Sequence, residues 1–258
     1  MAAQQVPAPR LEFALPGAWW QAPLEADPDT RAQAIAAFVR DRYGRRDDLA
    51  RTRAEHRARL ARSLDEAVRA GAVAMHVSES NDGGIAFAST LTEYALPGVF
   101  GTNPAPEVLA DRVVGGLSSA AAATGAGGAA GSAADAWAAF AAAGGVAFSK
   151  GESIVLRRVV RRGPDAADEA AAARQETETN PGGPAAAGPD AASEASTVES
   201  LTADYWITVP GRPDVVLVSL SSVLGPLEPL MLELFDRIIA AASWRSARSL
   251  RDELTAAR

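Results

Sequence analysis

The stretch from residue 201 to residue 241 decides the fold: LTADYWITVPGRPDVVLVSLSS, followed by VLGPLEPLMLELFDRIIAA. Its first nine residues alternate apolar and polar side chains with a period of two, which is typical of a half-buried strand. Pro210-Gly211 predicts a turn, and residues 215–222 return as a second strand. Large apolar residues then repeat at helical spacing from Leu227 to Ala241. This last segment therefore predicts a helix that packs on the sheet.

The preceding part of the chain predicts more strands and helices. Asp27-Pro28 is a favourable helix start, because aspartate accepts hydrogen bonds from the first turn and proline fits its first position. Short turns between neighbouring strands favour antiparallel pairing, and no regular strand–helix–strand alternation is present. We therefore predict an α+β fold in which helices pack on a single antiparallel β-sheet. The expected strands are 11–15, 72–78, 85–93, 146–149, 153–162, 201–209 and 215–222, and the expected helices are 28–43, 47–70, 104–117, 133–143 and 227–241.

Residues 164–197 differ from their surroundings in composition. They are rich in alanine, proline, glycine and acidic residues, and they lack large apolar side chains, so they cannot offset the entropy lost on ordering. We predict a disordered acidic insert in one domain, whose other parts are residues 1–163 and 198–258. The net charge of the chain is −7, and the acidic residues of this insert and its edge account for it. The Ala/Gly/Ser-rich segment 118–132 predicts a loop.

The composition excludes several classes of protein. The chain has no cysteine, which excludes disulfide scaffolds, thiolate zinc sites and iron–sulfur clusters, and it has only two histidines. Gly125, Gly127 and Ala130 match a loose dinucleotide fingerprint, but no strand is predicted before them, so we expect no cofactor. No secretory signal and no sufficiently apolar run are present. We expect a cytoplasmic protein without membrane insertion.

The segment from residue 40 to residue 69 is rich in arginine. Acidic residues precede arginines by four positions, as in Glu55–Arg59 and Asp65–Arg69, and such pairs stabilise an exposed helix. This pairing disfavours a phosphate-binding surface, so we expect no nucleic-acid partner. Five side chains are less well matched: Arg42, Arg46, Arg53, Arg57 and Arg62. The first four are the candidates for contact with an acidic partner or with the acidic insert itself.

A second set of candidate interaction residues lies near the end of the predicted strand 153–162: Arg157, Arg158, Arg161 and Arg162. Arginines at such positions commonly shield an exposed strand edge, and these four are also close enough in sequence to contact the acidic insert. Trp19 and Trp20 pack in or around the core on the simplest interpretation. An exposed Trp19-Trp20 pair would instead anchor a partner protein.

The two histidines do not define a catalytic site. His56 lies in the charged helix and is interpreted as a surface side chain, whereas His76 lies in a strand and is expected to be half-exposed. No serine or acidic partner for either histidine is identifiable, so no catalytic or metal-binding residue is assigned. The alternative to a binding protein is an enzyme or a small-ligand-binding protein with its site near His76, Tyr205 and Trp206.

Several apolar and turn-forming positions are similar to a group of uncharacterised actinobacterial proteins with a Mog1/PsbP-like α+β fold. The positions that carry the resemblance are Leu15, Pro16, Gly17, Trp19, Trp20, Tyr205, Trp206, Val209, Pro210, Gly211, Leu234, Phe235, Asp236 and Trp244. The resemblance covers about 200 residues outside the insert and the stretch 118–143. It implies the fold and a loose association with type VII secretion gene clusters, and it implies no catalytic residue.

These observations favour a non-catalytic cytosolic protein-binding or adaptor protein, with an accessory role in a secretion system as the function that the resemblance suggests. The expected partner is a protein. The reason is the combination of a well-specified hydrophobic scaffold with no recognisable catalytic or metal-binding pattern.

Overall fold

The computed structural model describes residues 10–80, 88–98, 105–123, 131–162 and 200–245. These residues form nine strands and five α-helices. In chain order they are β1 (Arg10–Glu12), β2 (Ala18–Gln21), α1 (Pro28–Tyr43), α2 (Ala50–Arg69), β3 (Ala72–Ser80), β4 (Ser89–Leu96), α3 (Pro106–Ala123), α4 (Ala133–Ala142), β5 (Val146–Lys150), β6 (Ser153–Arg162), β7 (Ser200–Thr208), β8 (Val215–Ser222), α5 (Glu228–Ala241) and β9 (Ser243–Arg245).

Seven strands form one antiparallel sheet in the order β2-β3-β4-β8-β7-β6-β5. β7 and β8 lie between β4 and β6, although residues 163–199 separate them from β6 in the sequence. The part of the chain that follows this segment therefore supplies two central strands of the sheet. The predicted α+β class is confirmed, and β8 has the bounds that the sequence predicts.

The prediction of a single sheet is wrong in its count, because β1 and β9 form a separate two-stranded sheet. Leu11 of β1 pairs with Trp244 of β9, and both side chains pack on the core. Strands of three residues are too short to show an alternating pattern, and their pairing joins the two ends of the chain. The sequence pattern therefore did not reveal this second sheet. Trp19 and Trp20 lie in β2, which was not predicted as a strand.

The helices form two pairs on one face of the seven-stranded sheet and a single helix on the other. Asp27 caps α1 as predicted, because its Oδ1 accepts hydrogen bonds from the Asp29 and Thr30 amides, both at 3.0 Å. The order helix–helix–strand–strand occurs twice, once as α1-α2-β3-β4 and once as α3-α4-β5-β6. The first pair packs on β2 and β3, and the second packs on β6 and β7.

α5 covers the opposite face of the sheet. Met231, Phe235 and Ile239 of α5 are fully buried against alternate residues of the central strands, among them Tyr205 and Leu220. Because side chains alternate between faces along a strand, the residues between them point towards the two helix pairs. The apolar side of α5 thus covers one face of the seven-stranded sheet. The two helix pairs share the other face.

Two predictions concern the segments between these elements. Residues 118–123 were predicted as part of a loop, but α3 continues to Ala123, because alanine has the highest helix propensity of all residues. The glycines at 125 and 127 lie outside the described residues. The predicted disordered insert 164–197 also lies outside them, and it stays a prediction.

Candidate binding site

Register between the central strands places two rows of side chains on the face that carries the helix pairs. One row runs across the sheet through Met75, Thr92, Ser219, Asp204 and Arg158. The neighbouring row consists of Val77, Thr90, Ser221, Thr202 and Val160. Six of these ten side chains are threonine, serine or aspartate, which is unusual beneath a helical layer. These two rows form the floor of a trough.

The wall of the trough is the face of α2 that is turned towards the sheet, together with the last turn of α1. The cavity has a volume of about 830 Å³ and is partly open to solvent. The residues that α1 and α2 contribute to its lining include Arg42, Tyr43, Thr52, Glu55, His56, Arg59, Ser63 and Glu66. The trough therefore presents many hydroxyl groups together with side chains of both charges.

Asp204 is the most enclosed acidic group of the floor. Its Oδ1 accepts a hydrogen bond from the Ser219 hydroxyl at 2.8 Å, and its Oδ2 lies 3.6 Å from the Arg158 guanidinium. Arg158 also lies over the Trp206 ring, with its Cζ 5.3 Å from the ring centroid. The hydroxyl of Tyr94 lies in the same trough, and burial raises its pKa, with further contributions from Asp204 and Glu66. Asp204 and Arg158 thus form an ion pair at one end of their row, and the Nε of Arg158 is buried without a hydrogen-bond partner among the described residues.

His56 lies in the wall of the trough, and the interpretation of it as a surface side chain is wrong. Its ring packs edge-on against Tyr43, with 5.5 Å between centroids, and against Phe38 at 6.2 Å. Burial lowers the pKa of His56, and the positive charges of Arg42 and Arg59 lower it further. Its Nδ1 is buried and lacks a hydrogen-bond partner among the described residues. Burial and the nearby positive charges both favour the neutral form of the imidazole.

The four arginines singled out from the segment 40–69 do not form one surface. Arg42 lines the trough, where its Nη1 donates to the Ser78 carbonyl at 3.1 Å. Arg53 donates to the carbonyls of Gly44 and Arg46 and so closes the end of α1. Arg46 pairs with Asp48 at 2.9 Å, and Arg57 is exposed on α2.

Neither of the two predicted ion pairs named above, Glu55–Arg59 and Asp65–Arg69, is present among the described residues. Glu55 pairs with Arg51, one turn earlier in α2, at 2.8 Å. Asp65 lies 3.6 Å from Arg31 of α1, so it joins the two helices instead of stabilising α2 alone. As a result Arg59, the expected partner of Glu55, has no ion-pair partner among the described residues and lines the trough.

The second arginine set divides between the two faces of the sheet. Arg158 belongs to the trough, whereas Arg157 pairs with Asp236 and Arg161 with Glu228, both on the α5 side. The side chain of Arg162 lies outside the described residues. β5 pairs with β6 only as far as Arg157, so the remainder of β6 extends past its described neighbour. The ion pairs of Arg157 and Arg161 with Asp236 and Glu228 fix α5 to the sheet.

The two tryptophans of β2 are not an exposed pair. Trp20 stacks on Phe38 of α1 with 4.7 Å between ring centroids. Trp19 packs on the opposite core, and its Nε1 donates to the Pro16 carbonyl at 2.8 Å. Both side chains are half-buried, and they serve the two cores on either side of β2.

The alternative site near His76, Tyr205 and Trp206 is not assembled by the fold. His76 and Tyr205 project from the face covered by α5, whereas Trp206 projects towards the second helix pair. The Tyr205 hydroxyl donates to Asp236 at 2.8 Å, and burial raises its pKa, as does the charge of Asp236. Burial lowers the pKa of His76. Tyr205 is therefore a buried structural group.

Sequence reasoning missed the residues that form the floor. The sequence pattern that marks these residues is present in β8, where Ser219 and Ser221 alternate with Val218 and Leu220. It is also present in β4, where threonines alternate with apolar residues. The pattern shows that each strand has one polar face. It does not show that these faces meet in one place or that α2 stands beside them.

Within the described parts of the chain, no group of three or more His, Cys, Asp and Glu side chains is arranged to hold a metal ion. None of the helices described combines the length and the apolar character needed to cross a bilayer. No family model matches this chain, and neither a curated protein nor a solved structure matches it significantly. The function proposed below therefore rests on the trough and on the sequence.

Proposed function

We propose that this chain is a non-catalytic binding protein that holds an extended segment of a partner protein in the trough. The observation that carries the proposal is the pair of polar cross-strand rows, because an α+β sheet normally buries apolar side chains beneath its helices. Here Thr90, Thr202, Ser219 and Ser221 remain half-exposed beside α2. A floor of this kind offers hydrogen bonds to a bound molecule instead of contacts to a helix.

The chemistry of the lining suits a polypeptide. Each threonine or serine hydroxyl donates one hydrogen bond and accepts others, so Thr90, Thr202 and Ser221 are able to pair with the N–H and C=O groups of a peptide of many sequences. Ser219 already donates to Asp204 and is left with its acceptor capacity. Val160 is half-buried at one end of its row and adds an apolar contact for a side chain, whereas Met75 and Val77 at the other end are buried in the core beneath α2. The trough is partly open to solvent, so a bound segment has access to it.

Two groups in the trough that are capable of acid–base chemistry, Asp204 and His56, are engaged in structural contacts. Asp204 accepts from Ser219 and pairs with Arg158, and His56 is packed between aromatic rings beside two arginines that oppose its protonation. A general base needs access to the proton that it removes and a pKa near the working pH. This arrangement favours binding over catalysis.

The proposal includes an adaptor role in the cytoplasm and an accessory role in a secretion system. Support for these two points comes from the sequence: the composition favours the cytoplasm, and the resemblance through Trp19-Trp20, Tyr205-Trp206 and Pro210-Gly211 suggests the secretion link.

A small polar ligand is the second candidate occupant. Cavities of about 300–1,000 Å³ are typical of small-molecule sites, and the volume of about 830 Å³ lies within this range. A small molecule released from the purified protein by denaturation, and absent from a variant with a blocked trough, would favour this candidate.

Filling the trough tests the proposal. Ser221→Phe places a large ring on the floor, and Ser149→Phe places the same ring on the exposed edge strand β5 as a matched control. Both variants and the unmodified protein are used to recover partners from the native host, with isotope labelling for quantification and thermal unfolding to verify the fold. We expect at least one protein to be depleted about tenfold by Ser221→Phe and retained by Ser149→Phe. Equal recovery by both folded variants would refute the proposal.

A further inference from the structure

One end of the trough is basic. Arg42 closes the trough from the last turn of α1, and its guanidinium is oriented by the hydrogen bond to the Ser78 carbonyl. Arg59 lies three residues after His56 on α2, so the two side chains share one face of that helix. Both arginines act on the His56 imidazole through their charge. Two arginines thus line the same part of the trough as His56 and lie close enough for their charges to act on its ring.

The acidic groups of the trough are located elsewhere or are already paired. Glu55 pairs with Arg51, Asp204 pairs with Arg158, and Glu66 acts on Tyr94. Arg59 has no ion-pair partner among the described residues. The titratable and charged side chains that surround His56 in the lining are Arg42 and Tyr43 from α1, Glu55, Arg59 and Glu66 from α2, and Tyr94, Asp204 and Arg158 from the sheet.

We infer that the Arg42–His56–Arg59 end of the trough is a subsite for an acidic side chain of the bound partner segment. A carboxylate matches the planar donor groups of arginine, which bind it through paired hydrogen bonds. The inference rests on the proposed function, since it assigns the chemistry of one position of the bound segment. It predicts that the partner carries aspartate or glutamate at the place where its chain passes α2.

Binding at this subsite is coupled to a proton. The two arginines disfavour the imidazolium form of His56, and a bound carboxylate offsets their charge, so occupation raises the pKa of His56. By linkage, an acidic ligand then binds more tightly as the pH falls through the pKa of this histidine. His76 lies on the opposite face of the sheet and has no such coupling.

The test uses the full chain and two defined probes, a capped hexaglutamate peptide and a capped hexaglutamine peptide. The chain has two histidines, so NMR titration of their ring protons follows both pKa values separately. We expect hexaglutamate to raise the pKa of His56 and to leave that of His76 unchanged. The Glu peptide is expected to bind more tightly at pH 6 than at pH 8, and more tightly than the Gln peptide.

Arg59→Gln and its neighbour Arg57→Gln form a matched pair, because Arg57 is exposed on α2 outside the lining. We expect Arg59→Gln to weaken hexaglutamate binding about fivefold and Arg57→Gln to leave it unchanged. Equal effects of both substitutions, equal affinity for both peptides, or a shift of both histidines would overturn the subsite. Acetate or inorganic phosphate binding as tightly as hexaglutamate would also overturn it, in favour of a site for small anions.

The two levels of inference fail separately. If Ser221→Phe abolishes partner recovery while Arg59→Gln leaves it unchanged, the trough holds a partner and the acidic subsite is wrong. If Ser221→Phe leaves partner recovery unchanged, the proposed function itself is wrong.

Discussion

Replacing Tyr205 by phenylalanine tests whether this residue stabilises the fold, as the structure indicates, or belongs to a ligand-binding site. Tyr205 is fully buried, and its hydroxyl donates to Asp236 of α5 at 2.8 Å. A hydrogen bond to a charged group contributes about 1.5–3 kcal/mol to stability. Asp236 keeps its ion pair with Arg157, so we expect a loss near the lower end, about 1.5–2 kcal/mol. For a chain of this size the midpoint of thermal unfolding falls by roughly 3–8 °C.

Urea unfolding followed by tryptophan fluorescence measures this loss. Tyr94→Phe is the matched control, because the Tyr94 hydroxyl faces the trough and has no hydrogen-bond partner among the described residues. We expect the control to change the free energy of unfolding by less than about 0.5 kcal/mol. Partner recovery is expected to be unchanged in Tyr205→Phe. A stability change equal to that of the control, or a loss of partner binding without a loss of stability, would refute the assignment of Tyr205 to the scaffold.

Three further predictions concern stability. Phe235→Ala is expected to reduce the free energy of unfolding by about 3–5 kcal/mol in urea titrations, because Phe235 is fully buried between α5 and the sheet. Burial raises the pKa of Glu93, so its carboxyl stabilises the fold most when protonated, and this contribution is lost as the pH rises through the raised pKa. The difference in free energy of unfolding between Glu93→Gln and the unmodified protein is therefore expected to favour the variant more at pH 7 than at pH 4. A difference that is the same at both pH values would contradict the prediction. Arg162 and Ser200 are paired neighbours in the sheet, so replacing residues 163–199 by a four-residue Gly/Ser link is expected to raise stability by about 2 kcal/mol, if they form the disordered insert that the sequence predicts. A decrease would show that this segment contributes native contacts.

The sequence predicted most elements whose pattern is local and strong. β8 begins with four large apolar residues after the Pro210-Gly211 turn, and α5 repeats apolar residues at helical spacing, so each pattern is complete within one segment. The start of α1 was predicted because Asp27 and Pro28 act within one turn. The short β1 and β9 were not predicted as a sheet, because their pairing is tertiary and their length gives no period.

The candidate site was not predictable, because it depends on register. Thr92, Ser219, Asp204 and Arg158 are far apart in the chain or belong to different strands, and only strand pairing brings them into one row. His56 was assigned to the surface for a related reason. Its helix is highly charged, and the contact of its ring with Phe38 and Tyr43 arises only when α1 packs on α2.

The ion pairs of the arginines also depend on tertiary packing and were not predictable from spacing along the chain. Glu55 and Arg59 have the spacing of an ion pair on a helix, yet Glu55 pairs with Arg51 and leaves Arg59 towards the trough. Spacing defines which pairs are possible on one helix. The neighbouring elements decide which of them form, and here that choice leaves a basic group in the candidate site.

Site-specific crosslinking from the floor of the trough tests the central claim most directly. A photoreactive benzoylphenylalanine replaces Thr202, and in a second variant it replaces Ser149 on the exposed edge of β5. After irradiation in the native host, mass spectrometry identifies the crosslinked peptides. We predict that position 202 links to one segment of a partner protein, that this segment contains an acidic residue, and that position 149 does not link to it. Crosslinks from position 202 confined to this chain itself, or the same partners from both positions, would contradict the account.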